Sequence, residues 1–461
     1  MTPPSTSQTT WTQGALLELD ITRLSNSGDG IGRWDSRVVF VPDTVPGDRV
    51  LVRLVRVKPT FAHGKVHQMV QPSGDRIRPA CIVADKCGGC QWQAVQYSVQ
   101  LQAKQEQVVD ALKRIGGFAH PRVKAIMPSE PLGYRNKATY PLGLSANGQL
   151  QAGYYQKSSH RLVNLNQCPV QDESLNPVLA GVKQDLQSQG WSVYQEKSHQ
   201  GMLRHLGLRI GRRTGEQLLT LVTTTWDVPG LEDQAQIWMQ RYPQLVGVGV
   251  NLNRDRTNAI FGSESRCIAG RAYLVDSLAG VEFQIGSTTF FQVNTEQAEA
   301  LVEVILAGLN LQGYERVLDA YCGIGTLTLP LARRVQHAVG IEVHPDSIAQ
   351  AIQNAQRNGI ENVEFYVGRV EAWLPQWVAE GGDRPDIVVL DPPRKGCDLA
   401  VLEALKTVAP SQIAYMSCNP TTLARDLKIL CENETYRLIE VQPADFFPQT
   451  PHVECVAFLK K

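Results

Sequence analysis

In the run IAYMSCNPTTLARD, Ile413 to Asp426, an apolar stretch too short for a typical helix breaks at Ser417, Cys418, Asn419 and Pro420 before a helical pattern resumes. Strand, turn and helix are predicted, with the Cys418 thiol at the strand end. A cysteine often serves as a small buried hydrophobe, but a strand end beside Asn-Pro is a poor place for one. A thiolate there is a nucleophile, and one chemistry open to it is covalent activation of a ring whose target carbon cannot be methylated directly. An amino nitrogen carries its own lone pair, whereas carbon 5 of a uracil is a poor nucleophile. Addition of a thiolate to carbon 6 converts the ring to an enolate, which can attack a methyl donor from carbon 5. A general base must then remove the carbon-5 proton so that the thiolate can leave. The segment ADFFPQTPHVECVAFLKK offers Asp445, His452 and Glu454 as that base. Glu454 is favoured, while His452 has the ordinary pKa best suited to the task.

A second group of residues lies just upstream. LDPPRKG places Asp391, Pro392, Pro393 and Arg394 at the end of another apolar run, where a carboxylate and two prolines make a rigid, acceptor-rich ledge. Enzymes that methylate amino nitrogens usually follow such prolines with an aromatic that stacks on the base, and Arg394 stands there instead. RVLDAYCGIGTLTLPLA reads as a strand ending at Asp319, a glycine-containing turn and a helix. QHAVGIEVHPDSIAQAIQNAQRNG adds a strand ending near Glu342, which follows Gly323 by 19 residues, close to the ~20 at which an acid meets ribose hydroxyls. VEFYVG, DIVVLDPP, YRLIEVQP and HVECVAFLK complete the series. Alternation of strands and helices predicts an α/β, mostly parallel, doubly wound Rossmann-like sheet, with its ligand outside the carboxyl ends of the strands. The full dinucleotide fingerprint is missing, since Thr328 stands three residues beyond Gly325. S-adenosylmethionine is therefore expected rather than a dinucleotide.

CIVADKCGGC brings Cys81, Cys87 and Cys90 together as C-x5-C-x2-C, and Cys168 in LNQCPVQDE is the candidate for a distant fourth ligand. Three close cysteines and a distant one suit an iron–sulfur cluster better than zinc, whose thiolates usually come in two close pairs. Zinc is the alternative metal. The other five cysteines, Cys267, Cys322, Cys397, Cys431 and Cys455, lack comparable settings, although Cys322 lies in the glycine turn.

The elements that must hold these groups fit within 461 residues, 43% hydrophobic and 20% charged, enough for two or three domains. The polar start MTPPSTSQTTWTQG has no signal-peptide pattern, and no run of about 18 apolar residues occurs. A cytoplasmic protein without membrane association or an obligate protein partner is expected. Net charge is zero, but Arg49 to Arg78 holds seven Lys or Arg against one acid, and Lys197 to Arg213 holds five bases and no acid. Either stretch could neutralise phosphates or simply coat a solvated face. The first accompanies LLELDITRLSNSGDGIGRWDSRVVFVPDTVPGDRVLVRLVRVK, where short alternating strands and Gly-Asp turns predict a small OB-type barrel, a scaffold that recurs in oligonucleotide binding.

Here the chain resembles a TRAM domain over residues 10–72. Across nearly its full length it resembles the RNA uracil-5-methyltransferases of the TrmA/RumA type. The resemblance is carried by that barrel, the CIVADKCGGC run with Cys168, YRNKATYP, FFQVNTEQ, LDAYCGIGTLTLPLA, GIEVHPDSI, LDPPRKG, SCNPTTLARD and FPQTPHVE. It implies Cys418 as nucleophile, Glu454 as base, and Gln292, Tyr321, Glu342 and Asp391 as contacts of S-adenosylmethionine. It further implies a 4Fe-4S cluster on Cys81, Cys87, Cys90 and Cys168, and an RNA substrate, 23S ribosomal RNA ahead of transfer RNA. Read from the residues alone, Gln292 merely precedes a helix capped by Asn294 or Thr295. Phe446 departs from the family pattern, in which Met is common. The expected organisation is a TRAM-like domain over 1–72, a central α+β domain with the cluster ligands and an RNA cleft over 73–285, and a methyltransferase domain over 286–461. In this family the stretch of about 93–124 packs with the catalytic domain. Two other readings are an iron–sulfur redox enzyme with a nucleotide cofactor and a non-catalytic RNA-binding protein on a methyltransferase scaffold. Cys418 together with Glu454 counts against both.

Overall fold

The computed structural model describes residues 11–381 and 384–461. Residues 1–10, most of the segment read above as lacking a signal pattern, lie outside the described residues. The chain forms two compact units: one runs to Gln107 and includes Phe447–His452, and the other comprises Val108–Phe446 and Val453–Lys461. No helix among the described residues is long and apolar enough to cross a membrane.

In the first unit, five strands close a barrel in the order Leu16–Leu24, Gly30–Trp34, Arg37–Val41, Phe61–Gln71 and Arg49–Val57. Alternation drives closure: Leu17, Leu19 and Ile21 point inward and meet Val39, Val50, Val52 and Ala62 in a dry core. A Cβ at Gly30 would fall 2.0 Å from Thr44 Oγ1 and 2.8 Å from Ile21 Cγ2, so a side chain there would force these neighbours to shift. Within the first basic stretch Arg49 pairs with Glu18 and Arg76 with Asp48. Arg53, Arg56, Lys58, Lys65 and Arg78 remain exposed.

The second unit contains two seven-stranded sheets. One has the order Glu264–Gly270, Leu245–Leu252, Gln217–Thr223, Leu203–Ile210, Lys137–Leu144, Leu150–Tyr155 and Leu162–Asn164. Its core includes apolar residues of the helices Leu175–Gln189 and Leu231–Arg241. The other has the order Val363–Val367, His337–Glu342, Arg316–Ala320, Ile387–Leu390, Gln412–Ser417, Glu454–Lys460 and Arg437–Ala444. Its first five strands pair in parallel, and Glu454–Lys460 runs antiparallel to both of its neighbours. Ile387–Leu390 is buried throughout, as a strand covered on both faces must be. Strand order reverses between Arg316–Ala320 and its neighbour Ile387–Leu390, so the crevice where such sheets bind ligands opens beside Asp319 and Asp391.

Candidate active site

The glycine turn after Arg316–Ala320 forms one wall of this crevice. Tyr321 sits at φ 75, a left-handed conformation that is rare for a bulky residue. The turn is held by bonds from the Tyr321 and Cys322 amides to the Ile341 carbonyl, at 3.0 and 2.9 Å. Gly323 and Gly325 also take positive φ, and no protein atom lies within 4 Å of where a Gly323 Cβ would stand. An adjoining pocket has about 500 Å³ of empty space, its open mouth included, lined by residues that include Gln292, Asp319, Tyr321, Gly323, Asp391 and Met416. Gln292 comes from the segment before the helix Thr295–Leu309. Asn294 caps that helix by accepting a bond from the Gln297 amide at 3.2 Å. Glu342 is half-buried at the end of the neighbouring strand and does not line the pocket, yet its charge acts on Asp319.

Asp319 did not stand out in the sequence beyond marking a strand end. Its Oδ2 accepts from the Thr328 hydroxyl at 2.5 Å, while Oδ1 is buried without a partner among the described residues. Burial pushes its carboxyl up to about 7, with Asp391 and Glu342 adding to the rise against the Thr328 bond. Asp391 is likewise pushed up to about 7 by burial, although part of the residue remains open to the crevice.

Cys418 lies at the end of the adjacent parallel strand, half-buried. Asn419 caps the next helix, accepting from the Thr421 amide at 3.0 Å, and Pro420 fills the first helical position, where a missing N–H costs nothing. Glu454 begins the neighbouring antiparallel strand and is 5% exposed. Ser417 pairs with Cys455 in that register, so one further step sets Cys418 opposite Glu454. Their side chains share one electrostatic environment. The Cys418 thiol is pushed up to about 11 by burial, then by the charges of Glu454 and Asp391, against Arg394. The Glu454 carboxyl is pushed up to about 8 by burial and by Asp391, again against Arg394. Asp391 therefore links the pocket to the Cys418 thiol and the Glu454 carboxyl, and the Arg394 charge acts on both.

The loop carrying Arg394 is tied to the helix after Cys418. Asn419 Nδ2 and Thr422 Oγ1 both donate to the Arg394 carbonyl at 3.3 Å. Asp426, 0% exposed, accepts from the Cys397 amide at 2.9 Å and the Tyr415 hydroxyl at 2.6 Å, and pairs with Arg425 at 2.7 Å. This clamp holds the loop against the strand that presents Cys418.

Two sequence expectations fare differently in the structure. Of the basic stretch Lys197–Arg213, only Lys197 is exposed and free of a carboxylate or carbonyl tie. Arg204 is buried and donates to the Asn253 and Asp255 carbonyls at 2.9 Å. Arg209 is buried, Arg212 pairs with Asp172 and Glu296, and Arg213 pairs with Glu296 and Glu299. Those acids are distant in sequence, so the run reads as basic while most of it serves the fold. Cys81 and Cys90 are half-buried, Cys87 and Cys168 are buried, and the Gly89 amide donates to Cys87 Sγ at 3.4 Å. Among the described residues, no group of three or more His, Cys, Asp or Glu side chains is gathered so that it could hold a metal ion.

Comparison with known proteins gives a consistent family. A methyltransferase-domain profile matches residues 312–456 and a TRAM-domain profile residues 10–67. A protein of Nostoc sp. described as an uncharacterized RNA methyltransferase is 63% identical, over 98% of each chain. One of Thermosynechococcus vestitus with the same description is 55% identical, over 97% of this chain and 99% of its own. Among solved structures, the Pyrococcus abyssi tRNA (uracil-54, C5)-methyltransferase in complex with S-adenosyl-L-homocysteine is 28% identical. It superimposes with a TM-score of 0.75, covering 96% of this chain and 100% of that one. The chain belongs to the RNA methyltransferase family, with a TRAM domain preceding its methyltransferase domain.

Proposed function

We propose that this protein transfers the methyl group of S-adenosylmethionine to carbon 5 of a uridine in RNA, with Cys418 as nucleophile and Glu454 as the proton-abstracting base. The observation that carries this reading is the meeting of a thiol, a buried carboxyl and Arg394 at adjoining strand ends, with Asp391 shared between them and the pocket. An enzyme for amino nitrogens would need neither the thiol nor the base.

The pocket suits the methyl donor. Asp319 Oδ1 is an unused buried acceptor, the Gly323 position leaves open space at the turn, and Gln292, Tyr321 and Asp391 line the same opening. The family resemblance adds Glu342 as a ribose contact. Bound there, S-adenosylmethionine supplies an electrophilic methyl group. The protein's own groups do the rest. With raised pKa values, Cys418 and Glu454 are mostly protonated at neutral pH, because burial disfavours the charged form of each and the Asp391 charge adds to that cost. Arg394 opposes that effect and favours loss of the thiol proton to solvent. The thiolate then bonds to carbon 6 of the uracil, and the ring's electron pair becomes available at carbon 5. After carbon 5 has taken the methyl group, which leaves S-adenosylhomocysteine, ionised Glu454 takes the carbon-5 proton, the C5–C6 double bond reforms, and the C6–S bond breaks to return the thiolate. A carboxylate with pKa near 8 is a stronger base than an ordinary one.

Further support for carbon-5 chemistry comes from the structural neighbour, whose described substrate is uracil 54 of transfer RNA. The resemblance read from sequence favours 23S ribosomal RNA, so both RNAs belong in the test. A 4Fe-4S cluster on Cys81, Cys87, Cys90 and Cys168 is supported by spacing and resemblance alone. The chemistry proposed for Cys418 and Glu454 does not require it. The deciding experiment incubates the protein with labelled S-adenosylmethionine and unmodified 23S or transfer RNA and maps the product. 5-Methyluridine at a discrete site is expected. Label on a base nitrogen or ribose oxygen would overturn the reading.

A further inference from the structure

Three cations crowd together beside the segment that carries Gln292. Lys137 and Arg209 are register partners on neighbouring antiparallel strands, where like charges directly opposite each other are destabilising. Arg135 precedes Lys137 by two residues and donates from Nε to its carbonyl at 2.9 Å. Arg209 is 4% exposed: one of its terminal nitrogens donates to the Thr289 carbonyl at 2.6 Å, while Nε and the other terminal nitrogen are buried without an acceptor among the described residues. The Lys137 ammonium stands 5.3 Å from the centre of the Phe261 ring. No carboxylate among the described residues pairs with any of the three. A buried guanidinium with unused donors and two cationic neighbours is costly to fold unless an anion completes it. Burial and repulsion from Arg209 and Arg135 accordingly push Lys137 down to about 6, so near neutral pH it holds its proton only once an anion is bound beside it.

The cluster is fastened to the active-site wall. Asn136, between Arg135 and Lys137, donates from its side chain to the Gln292 carbonyl and to Thr295 Oγ1, each at 2.9 Å, and its amide donates to the Val293 carbonyl at 2.9 Å. Thr289, which holds Arg209, is followed by Phe290, a pocket-lining residue that is 69% exposed. An anion bound to the cluster would thus be tied to the segment that faces the substrate.

We propose that Lys137 and Arg135, half-buried and backed by the buried Arg209, form a binding site for a backbone phosphate of the RNA substrate, close to the nucleotide that undergoes reaction. A phosphodiester suits it because its oxygens accept from several cations at once. The proposal rests on the RNA reading above, but its test needs no catalysis. The affinity of the full-length protein for a uridine-containing RNA stem-loop is measured against salt concentration, for the wild type and for Lys137→Gln, with S-adenosylhomocysteine affinity measured in parallel. Lys137→Gln is expected to weaken RNA binding about tenfold near 0.1 M salt and to reduce the slope of log affinity against log salt by about 0.7–0.9. S-adenosylhomocysteine affinity is expected to be unchanged. Replacing phosphates one at a time by neutral methylphosphonates should reveal one linkage that matters to the wild type and not to the variant. Arg135→Gln repeats the test should Lys137→Gln fail to fold. An unchanged salt slope in the variants, or a loss of S-adenosylhomocysteine affinity instead, would overturn the site. A protein that shows the slope change yet makes no 5-methyluridine would retain this site and refute only the carbon-5 reading.

Discussion

Replacing Glu454 by Gln should make the protein more stable as it becomes less active, and the gain should grow with pH. Glu454 is 5% exposed, and its carboxyl is pushed from 4.5 to about 8 by burial first, then by Asp391, against Arg394. An acid whose pKa rises on folding gives its full stabilising contribution below the unfolded value and loses it as pH rises toward the folded value. Between those limits the unfolded chain has already released the proton that the folded chain retains. Each pH unit then costs about 1.4 kcal/mol. From pH 5.5 to 7.5 both limits are respected, so the wild type should lose roughly 2.7 kcal/mol relative to Glu454→Gln, which has no proton to release. In a domain of this size that is a melting-point divergence on the order of 5 °C. Scanning calorimetry on both proteins at several pH values, at constant ionic strength, measures it directly. Other titrating groups are common to the two proteins and largely cancel in the difference. Melting curves that stay parallel across this range would refute the claim that Glu454 is held protonated by burial.

The remaining predictions concern neighbouring groups. Because the Cys418 thiol is pushed up to about 11, covalent capture of RNA by the protein should accelerate from pH 6 to pH 9 without reaching a plateau, as followed by gel-resolved adduct formation. Asp319→Asn should weaken S-adenosylhomocysteine binding about tenfold by calorimetry. If Oδ1 accepts a bond from the cofactor, wild-type affinity should rise with pH through about 7, and the variant should lack that rise. Asp426→Asn breaks a buried clamp that holds the Cys397 amide, the Tyr415 hydroxyl and Arg425. A loss of about 2–4 kcal/mol in denaturant unfolding is expected, with adduct formation slowed at every pH as the Arg394 loop loosens.

Sequence reading reached furthest where the signal is local. The strand–turn–helix at Cys418 follows from a short apolar run, an Asn cap and a proline that suits the first helical position, and all three act within a few residues. The strand ending at Glu342 and the cap at Asn294 were legible for the same reason. Contacts between residues distant in the chain were not. Nothing near Arg212 announces that Asp172 and Glu296 will neutralise it, so from sequence it read only as part of a basic run that could meet phosphates or coat a solvated face. The meeting of Lys137 with Arg209 depends on strand register across some seventy residues of chain. Asp319 offered a weak signal, an acid at the end of an apolar strand beside a glycine turn, but its unused oxygen is visible only once the pocket is built.

The central claim is that Cys418 bonds to carbon 6 of a uridine. Substrate RNA carrying 5-fluorouracil tests it most directly, because fluorine at carbon 5 cannot be removed as a proton and the adduct cannot resolve. With S-adenosylmethionine present, a denaturation-resistant protein–RNA complex is expected, whose cross-linked peptide, sequenced by mass spectrometry, carries the nucleotide on Cys418. Cys418→Ala should yield none. An adduct that persists in Cys418→Ala, or one mapped to another residue, would contradict the account.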